Sequence, residues 1–273
     1  GDSVTVPTGG AVTVNLTFAG TAGAAEYTGE QASVTIAAGS SSQDLTITST
    51  DDSVFENDET ITVTLGSISH ASGVYEVNIA ADGTANTVST TVNDDDSLEV
   101  SVAATDDNAV EGTTNNTAVF TVSQDNTASA DTTVGIGLLL GDVEVNDIAS
   151  ISFTDENGVV QTLTSAINIG GFLSGGGETI ISAGSTDAPV ITVEFTNDAV
   201  YEGSETLSLV VLDATNPVGT VTLDVGASSA DATIYDEDSG DDTQTTPGDE
   251  LGDATSFSIA DASITEGGVV TFT

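Results

Sequence analysis

Residues 51–59 read D-D-S-V-F-E-N-D-E, and an alternating run, T-I-T-V-T-L, follows directly at residues 60–65. The pattern returns at residues 197–205, N-D-A-V-Y-E-G-S-E, before a second largely apolar run at residues 206–211. In both copies an Asp is followed at fixed spacing by two Glu residues, as D-x-x-x-E-x-x-E. Because apolar and polar residues alternate in a half-buried strand, each acidic motif is predicted to precede a β-strand.

A second acidic cluster closes each copy, D-D-D at residues 94–96 and D-E-D at residues 236–238. Calcium takes about six to eight oxygen ligands, so it needs carboxylates from several segments of the chain. Carboxylates packed at one loop end repel one another unless an ion lies between them. Magnesium is a poorer candidate, because it prefers strict octahedral geometry and retains its water. The paired clusters predict calcium sites in two tandem β-sandwiches.

The composition also indicates that the protein binds a cation from solution. The 273 residues include 44 Asp and Glu but no Lys or Arg, for a formal charge of −44. Self-repulsion of this size opposes a compact state, and clustered carboxylates attract divalent cations. Outside the clusters, the acids are interpreted as a solvated surface, as in proteins adapted to salty water. Binding to nucleic acid or to an anionic membrane surface is excluded, since both require basic residues.

The remaining residues predict an all-β protein. The chain is 38% hydrophobic, too much for a disordered acidic tail. Its Val, Ile, Thr, Ser and Gly favour pleated strands and tight turns. The absence of Cys excludes disulfides. No apolar run is long enough to span a bilayer, and Gly1 does not open a signal-peptide pattern. Since strand patterns run to both termini, the sequence is interpreted as part of a longer protein.

Four segments follow along the chain. Residues 1–97 are predicted to form a sandwich that lacks its opening strand. Residues 98–238 repeat the plan with an insertion at about 148–180, which is predicted to be a hairpin and a short helical turn, since N-G at 157–158 is a hairpin signal. Residues 239–255 form an acidic linker containing Pro and Gly. Residues 256–273 match the opening of the second unit and predict the first strand of a further one.

Three motifs in this order resemble the Calx-beta family: strand–Glu-Gly–strand at the opening, D-x-x-x-E-x-x-E in the middle, and a triple acid at the end. Calx-beta domains are β-sandwich modules of sodium–calcium exchangers, and they also form arrays in bacterial surface adhesins of the RTX type. The resemblance implies tandem immunoglobulin-like antiparallel β-sandwiches. It also implies calcium bound at one end of each sandwich by loops and the closing acids.

The resemblance implies a set of calcium ligands in each unit. In the first unit these are Glu26, Asp51, Asp52, Glu56, Glu59, Asp94, Asp95 and Asp96. In the second they are Glu111, Asp147, Asp198, Glu202, Glu205, Asp236, Glu237 and Asp238, while Glu266 is the matching residue of the truncated third unit. The second unit departs from the first at Asn197 and Glu237, and Ile148 replaces the usual Tyr. These changes predict fewer or weaker ions in the second unit.

We expect a calcium-locked, rigid spacer of an extracellular bacterial adhesin or surface fibre, whose partners are neighbouring repeats or copies of itself. One alternative is a head-to-tail filament, in which residues 256–273 complete the first sandwich of the next copy by strand addition. Another is an adhesive module that binds a cell-surface or glycan ligand through the insertion at 148–180.

Catalysis is not expected. Paired carboxylates also serve in glycoside hydrolases. However, with 4% aromatic residues and no Trp, the chain has few rings that could stack on sugars in a cleft. An acid that holds calcium, moreover, cannot donate a proton. The triple glycine at 175–177 lacks the Lys of a phosphate-binding loop. His70, the one histidine, is predicted to lie at the surface in a turn. The chain is therefore predicted not to be an enzyme.

Overall fold

A computed structural model describes residues 5–73, 86–187, 190–198, 200, 202–235, 266 and 269. The chain separates into two compact units, unit 1 (residues 1–97) and unit 2 (residues 98–273). Strands dominate both, which confirms the all-β prediction. Within the described ranges, no helix has the length and apolar character needed to cross a membrane.

Unit 1 is built around a four-stranded antiparallel sheet in the order β3-β1-β6-β7, beside a short β2-β4 pair. Alternation along β1 buries Val12 and Val14, and Ile61 on β6, Tyr27 and Phe55 are also buried. The described strands are β1 (Val12–Gly20), β2 (Tyr27–Thr28), β3 (Ser33–Ile36), β4 (Thr48–Ser49), β5 (Val54–Phe55), β6 (Glu59–His70) and β7 (Thr87–Val92).

Unit 2 contains two sheets, β14-β13-β16-β10-β8-β18 and β15-β12-β17-β19-β9. Its core includes Phe120, Ile136, Phe195 and Leu209, all fully buried. The elements are β8 (Leu98–Asp106), β9 (Asn108–Val110), β10 (Thr117–Gln124), β11 (Thr127–Ala128), β12 (Thr132–Leu139), β13 (Ile148–Thr154), β14 (Val160–Leu163), α1 (Ala166–Gly175), β15 (Gly177–Ile181), β16 (Ile191–Phe195), β17 (Ser204–Thr215), β18 (Val221–Leu223) and β19 (Ser229–Tyr235).

The strand register shows that the two units repeat one plan. Glu59 at the start of β6 lies opposite Val92 on β7, and Glu205 on β17 lies opposite Ile234 on β19. In both units the second Glu of the acidic motif thus lies at the start of a long strand. That strand pairs with the last strand before the closing acids. Because β6 also pairs with β1, and β17 with β12, strands β1, β6 and β7 correspond to β12, β17 and β19.

The insertion forms the predicted hairpin and helix, but its boundary differs from the expectation. Strand β13 pairs with β16 as β2 pairs with β4, so β13 belongs to the common plan and is only lengthened. The additional elements are β14 and α1. Asp155 closes the hairpin turn by accepting hydrogen bonds from the N–H groups of Asn157 and Val159, both at 2.9 Å. Phe172 of α1 packs against Phe153, with 5.3 Å between ring centroids.

The prediction of a surface position for His70 is wrong. His70 ends β6 and is buried, with 6% of its surface exposed. Its Nδ1 lies 2.8 Å from the hydroxyl of Ser72. A side chain at Gly10 would bring its Cβ within 2.9 Å of the ring, so the small residue there leaves room for the imidazole. A turn pattern does not reveal that the chain folds back over the ring.

Core packing in unit 2 predicts that two leucines of strand β17 differ in their contribution to stability. Leu209→Ala should lower the free energy of unfolding by about 2–5 kcal/mol, because Leu209 is fully buried and its truncation leaves a cavity. Leu212→Ala is the matched control, since Leu212 on the same strand is 54% exposed. Its cost should be about 0.5 kcal/mol or less. Urea unfolding followed by circular dichroism measures both, and similar losses would contradict this description of the core.

Candidate metal centres

One cavity in unit 1 gathers acids from four separate segments of chain. They come from the β1–β2 loop, the segment before β5, the β5–β6 loop, and the segment after β7. Its lining includes Glu26, Asp51, Asp52, Glu56, Glu59, Asp94, Asp95 and Asp96, with Thr50, Asn57, Val92 and Asn93. The structure thus brings together all eight acids that the sequence predicted for this unit.

Three of these acids lie close enough together to share one cation. One carboxylate oxygen from each of Glu26, Glu56 and Glu59 lies within 4.8 Å of the other two. Oxygens bonded to one calcium ion at about 2.3–2.6 Å lie no more than about 5 Å apart. The spacing therefore fits a single cation held by the three carboxylates.

Glu59 supplies the second observation that points to a cation. Its Oε2 is buried and accepts no hydrogen bond from any residue in the described ranges. A buried polar atom normally has a partner, because leaving it unsatisfied is costly. A bound cation would satisfy this oxygen and would offset its repulsion from Glu26 and Glu56.

Three carboxyl groups of the cavity have raised pKa values. Burial raises the pKa of Glu26, Glu56 and Asp96 above the ordinary value of a carboxyl group. Nearby carboxylates raise all three pKa values further, and the charge of Asp52 acts on each of them. Without a cation, these groups therefore hold their protons more tightly than free carboxyl groups do.

Backbone hydrogen bonds hold the loops of this cavity in place. The N–H of Val54 donates to Asp52 Oδ1 (2.9 Å), and the N–H of Glu56 donates to Asp94 Oδ2 (3.2 Å). The N–H of Asp94 in turn donates to Asp58 Oδ1 (3.1 Å). Asp58 therefore ties the closing acids to the central motif. It was not predicted from the sequence, although it lies inside D-D-S-V-F-E-N-D-E.

Unit 2 repeats the triad at equivalent positions. Carboxylate oxygens of Asp147, Glu202 and Glu205 also lie within 4.8 Å of one another, and Asp147 is buried. Asp198 Oδ1 accepts a hydrogen bond from the N–H of Val200 (2.7 Å), as Asp52 does from Val54. Glu26 and Asp147, which the sequence predicted to correspond, therefore occupy equivalent places in the two triads.

Asp147 has its own local support. Burial raises its pKa, a hydrogen bond from the Glu144 N–H lowers it, and the charges of Glu144 and Asp198 raise it; the balance lies above the ordinary value. Glu144 was not predicted from sequence, because its contribution is a backbone N–H that any residue except Pro could supply.

The other predicted ligands of unit 2 are not in its triad. Glu111 is buried just after β9, where its N–H donates to the carbonyl oxygen of Tyr235 (3.0 Å), the residue before the closing acids. The closing acids, Asp236, Glu237 and Asp238, lie outside the described residues. Glu266 is described and exposed, and the segment around it lies mostly outside the described ranges.

One glycine in each unit lets the acid-bearing loop approach the strand beside it. Gly20 and Gly141 both have positive φ, at +135° and +58°. A Cβ at these positions would lie 2.0 Å from the carbonyl oxygen of Thr60 and 2.1 Å from that of Thr206. Each threonine adjoins the second Glu of the motif, so the glycine brings the loop carrying Glu26 or Asp147 close to Glu59 or Glu205.

The sequence matches the family model of the Calx-beta domain over residues 3–88 and 166–238, more than half of the chain. The chain belongs to the Calx-beta family. A search of curated proteins found no match.

Several solved Calx structures are also similar to this Calx-beta chain. The apo form of the Calx CBD1 domain is 14% identical, with a TM-score of 0.35, over 52% of this chain and 100% of that one. CBD12 from CALX1.2 is 15% identical, with a TM-score of 0.35, over 51% and 46%. The calcium binding domain CBD12 of CALX1.1 is 12% identical, with a TM-score of 0.33, over 82% and 87%.

The raised pKa values predict how the metal-free protein responds to pH. A carboxyl group with a raised folded pKa contributes stability below its unfolded pKa and loses that contribution as pH rises through the folded value. In chelator, the thermal midpoint should therefore fall as pH is raised from about 4.5 towards 7. Circular dichroism melts at constant ionic strength measure this dependence.

Two variants, one a test and one a control, show whether the buried carboxyl groups cause this pH dependence. The double variant Glu56→Gln, Asp147→Asn should flatten the dependence, because it removes a raised carboxyl group from each unit. Asp44→Asn removes one charge at an exposed position outside both triads and should leave the slope unchanged. A midpoint that rises with pH in chelator would contradict the repulsion described here.

The close approach at Gly141 gives a further prediction. Gly141→Ala should cost at least about 2 kcal/mol of unfolding free energy, since the added Cβ meets backbone in a left-handed conformation. Gly171→Ala, within α1, is the control: a Cβ there has no heavy atom within 4 Å, and Ala is the better helix former. Urea unfolding compares the two, and equal stabilities would show that the loop adapts freely.

Proposed function

We propose that the chain is a calcium-binding structural module, with one cation between Glu26, Glu56 and Glu59 and another between Asp147, Glu202 and Glu205. The observation that carries this proposal is the buried, unsatisfied Oε2 of Glu59 inside a triad with the spacing of calcium ligands. The surrounding acids are the proposed source of the remaining ligands: Asp51, Asp52, Asp94, Asp95 and Asp96 in unit 1, and Glu111, Asp198, Asp236, Glu237 and Asp238 in unit 2.

The proposed role of calcium is mechanical. In unit 1 the candidate ligands come from segments far apart in the chain, so one bound ion cross-links the β1–β2 loop to the β5–β6 loop and to the segment after β7. The segment after β7 is also the path into unit 2, since only Ser97 separates Asp96 from Leu98. A bound ion would therefore hold the chain rigidly as it leaves unit 1.

The proposed setting is outside the cell, as a spacer repeat of a bacterial adhesin or surface fibre. Extracellular calcium modules work at dissociation constants of about 10⁻⁴–10⁻³ M, a range that suits sites formed largely by exposed loops. A charge of −44 without Lys or Arg also makes the metal-free protein self-repelling. Stiffness would then depend on calcium from the surroundings. The carboxylates act as ligands in this proposal, and no catalytic role is assigned to them.

Calcium should stabilise the fold selectively. A ligand that binds only the folded state raises its stability by mass action, by about 2.7 kcal/mol at a hundredfold excess over the dissociation constant. Calorimetric melts in calcium, magnesium and chelator, at matched ionic strength, measure the effect. We expect a large upward shift in calcium and a much smaller one in magnesium. Equal transitions in all three buffers would contradict the proposal and favour a salt-adapted acidic scaffold.

Variants distinguish the two sites in the same melts. Glu56→Gln should remove most of the calcium shift of unit 1, and Glu202→Gln that of unit 2, because each removes a triad carboxylate. Asp44→Asn changes the net charge equally outside the triads and should retain the full shift. A loss of equal size in all three variants would indicate a response to net charge alone.

A pocket beside the insertion favours a second candidate function, ligand binding by unit 2. Its lining combines Gly175, Gly176 and Gly177 with three acids, Glu156, Glu178 and Asp213. Because the glycines have no side chains, their backbone is accessible beside the acids. Such a polar lining suits a hydroxylated or cationic ligand such as an amino sugar. A glycan-array screen in calcium tests this function. A ligand whose binding is lost in Glu178→Gln but kept in Glu202→Gln would support it, and an array without any bound glycan would count against it.

A further inference from the structure

Two threonines of unit 1 join the β1–β2 loop to the start of β6 by reciprocal hydrogen bonds. The hydroxyl oxygen of Thr21 accepts a hydrogen bond from the N–H of Thr60 (2.8 Å). In return, the N–H of Thr21 donates to the carbonyl oxygen of Thr60 (3.0 Å), and the N–H of Ala22 donates to the same oxygen (3.1 Å). The two hydroxyl oxygens lie 3.3 Å apart. We call this set of hydrogen bonds the threonine clasp.

The threonine clasp continues the pairing of β1 with β6 beyond the last residue of β1. That strand ends at Gly20, which lies opposite Ile61. In an antiparallel ladder the next pair would exchange two main-chain hydrogen bonds. Here the hydroxyl of Thr21 replaces the main-chain carbonyl as the acceptor for the N–H of Thr60, a substitution that Ser and Thr side chains often make near the backbone. A side chain therefore extends the ladder to the residue that adjoins Glu59.

The threonine clasp lies between two of the three triad carboxylates of unit 1. Glu59 directly precedes the clasped residue of β6. On the loop side, only residues 23–25 separate Ala22 from Glu26. This short connection is itself folded, because the N–H of Glu26 donates to the carbonyl oxygen of Gly23 (3.2 Å). The clasp therefore fixes the start of the loop that carries Glu26 against the strand that carries Glu59.

Unit 2 shares the close approach of loop and strand but not the clasp. A Cβ at Gly141 would lie 2.1 Å from the carbonyl oxygen of Thr206, much as in unit 1. The next residue along the loop, however, is Asp142, where unit 1 has Thr21. Although residues 142, 143 and 206 all belong to the described ranges, no hydrogen bond joins residue 142 or 143 to Thr206. The clasp therefore distinguishes the triad of unit 1 from that of unit 2.

We propose that Thr21 is a positioning residue of the calcium site in unit 1, an inference that rests on the proposed function. Thr21 acts through Glu26 and Glu59 and is not itself a ligand. The two carboxylates repel each other in the metal-free protein, and the clasp prevents that repulsion from moving the loop away from the strand. A site whose ligands are held in place before binding loses less conformational freedom on binding. Thr21 thereby raises the calcium affinity of unit 1.

Calorimetric titration of the full chain with calcium tests the proposal. All variants carry Glu202→Gln, so that the titration reports the site of unit 1. Thr21→Val keeps the shape of the side chain without its hydroxyl and should raise the dissociation constant about three- to tenfold, the effect of about one hydrogen bond. Thr21→Ser keeps the hydroxyl and should bind like the parent chain. Thr17→Val is the matched control, since Thr17 on β1 is exposed and its side chain makes no hydrogen bond within the described residues.

Thermal melts in chelator separate positioning from a purely structural role. Thr21 is exposed, so its variants should fold, and a purely structural role would lower the melting temperature without changing the dissociation constant. An unchanged dissociation constant in Thr21→Val would overturn the inference and leave the calcium function intact. Binding by Thr21→Ser as weak as that by Thr21→Val would also overturn it. If the parent chain with Glu202→Gln bound no calcium, the proposed function of unit 1 would itself be contradicted.

Discussion

Repulsion between carboxylates that no basic residue can neutralise is the constraint on which this structure depends. A protein of ordinary composition would place Lys or Arg beside Glu56 or Asp147, and this chain has neither residue type. Burial and neighbouring charge instead raise the pKa of these acids. The fold therefore concentrates unfavourable charge at two points, and in the proposed function a cation from outside offsets that charge.

The β-sandwich is well suited to this arrangement, because it brings the ends of distant strands together. Glu26 precedes a short strand, Glu59 begins a long one, and Asp94 follows the strand that pairs with it. Strand pairing sets these positions, while Gly20 and Gly141 let a loop pass close to a backbone carbonyl. Binding energy at the loops would then be transmitted through hydrogen-bonded strands, as a stiffening module requires.

Much of the candidate site could be predicted from sequence, because the motif is local and repeats. The spacing of Glu56 and Glu59 recurs in Glu202 and Glu205, and alternation in the next strand fixes the register. The match of Glu26 with Asp147 was harder, since the insertion changes the spacing, yet the structure places both in triads. Features of tertiary packing were beyond the sequence: the unsatisfied oxygen of Glu59, the buried ring of His70, and β13 as part of the common sheet.

Anomalous diffraction from crystals grown in calcium would test the central claim most directly, because it locates ions without reference to stability. We predict a peak between Glu26, Glu56 and Glu59 and another between Asp147, Glu202 and Glu205, each at about 2.3–2.6 Å from the carboxylate oxygens. Well-ordered triads without such peaks, at calcium concentrations of several millimolar, would contradict the account.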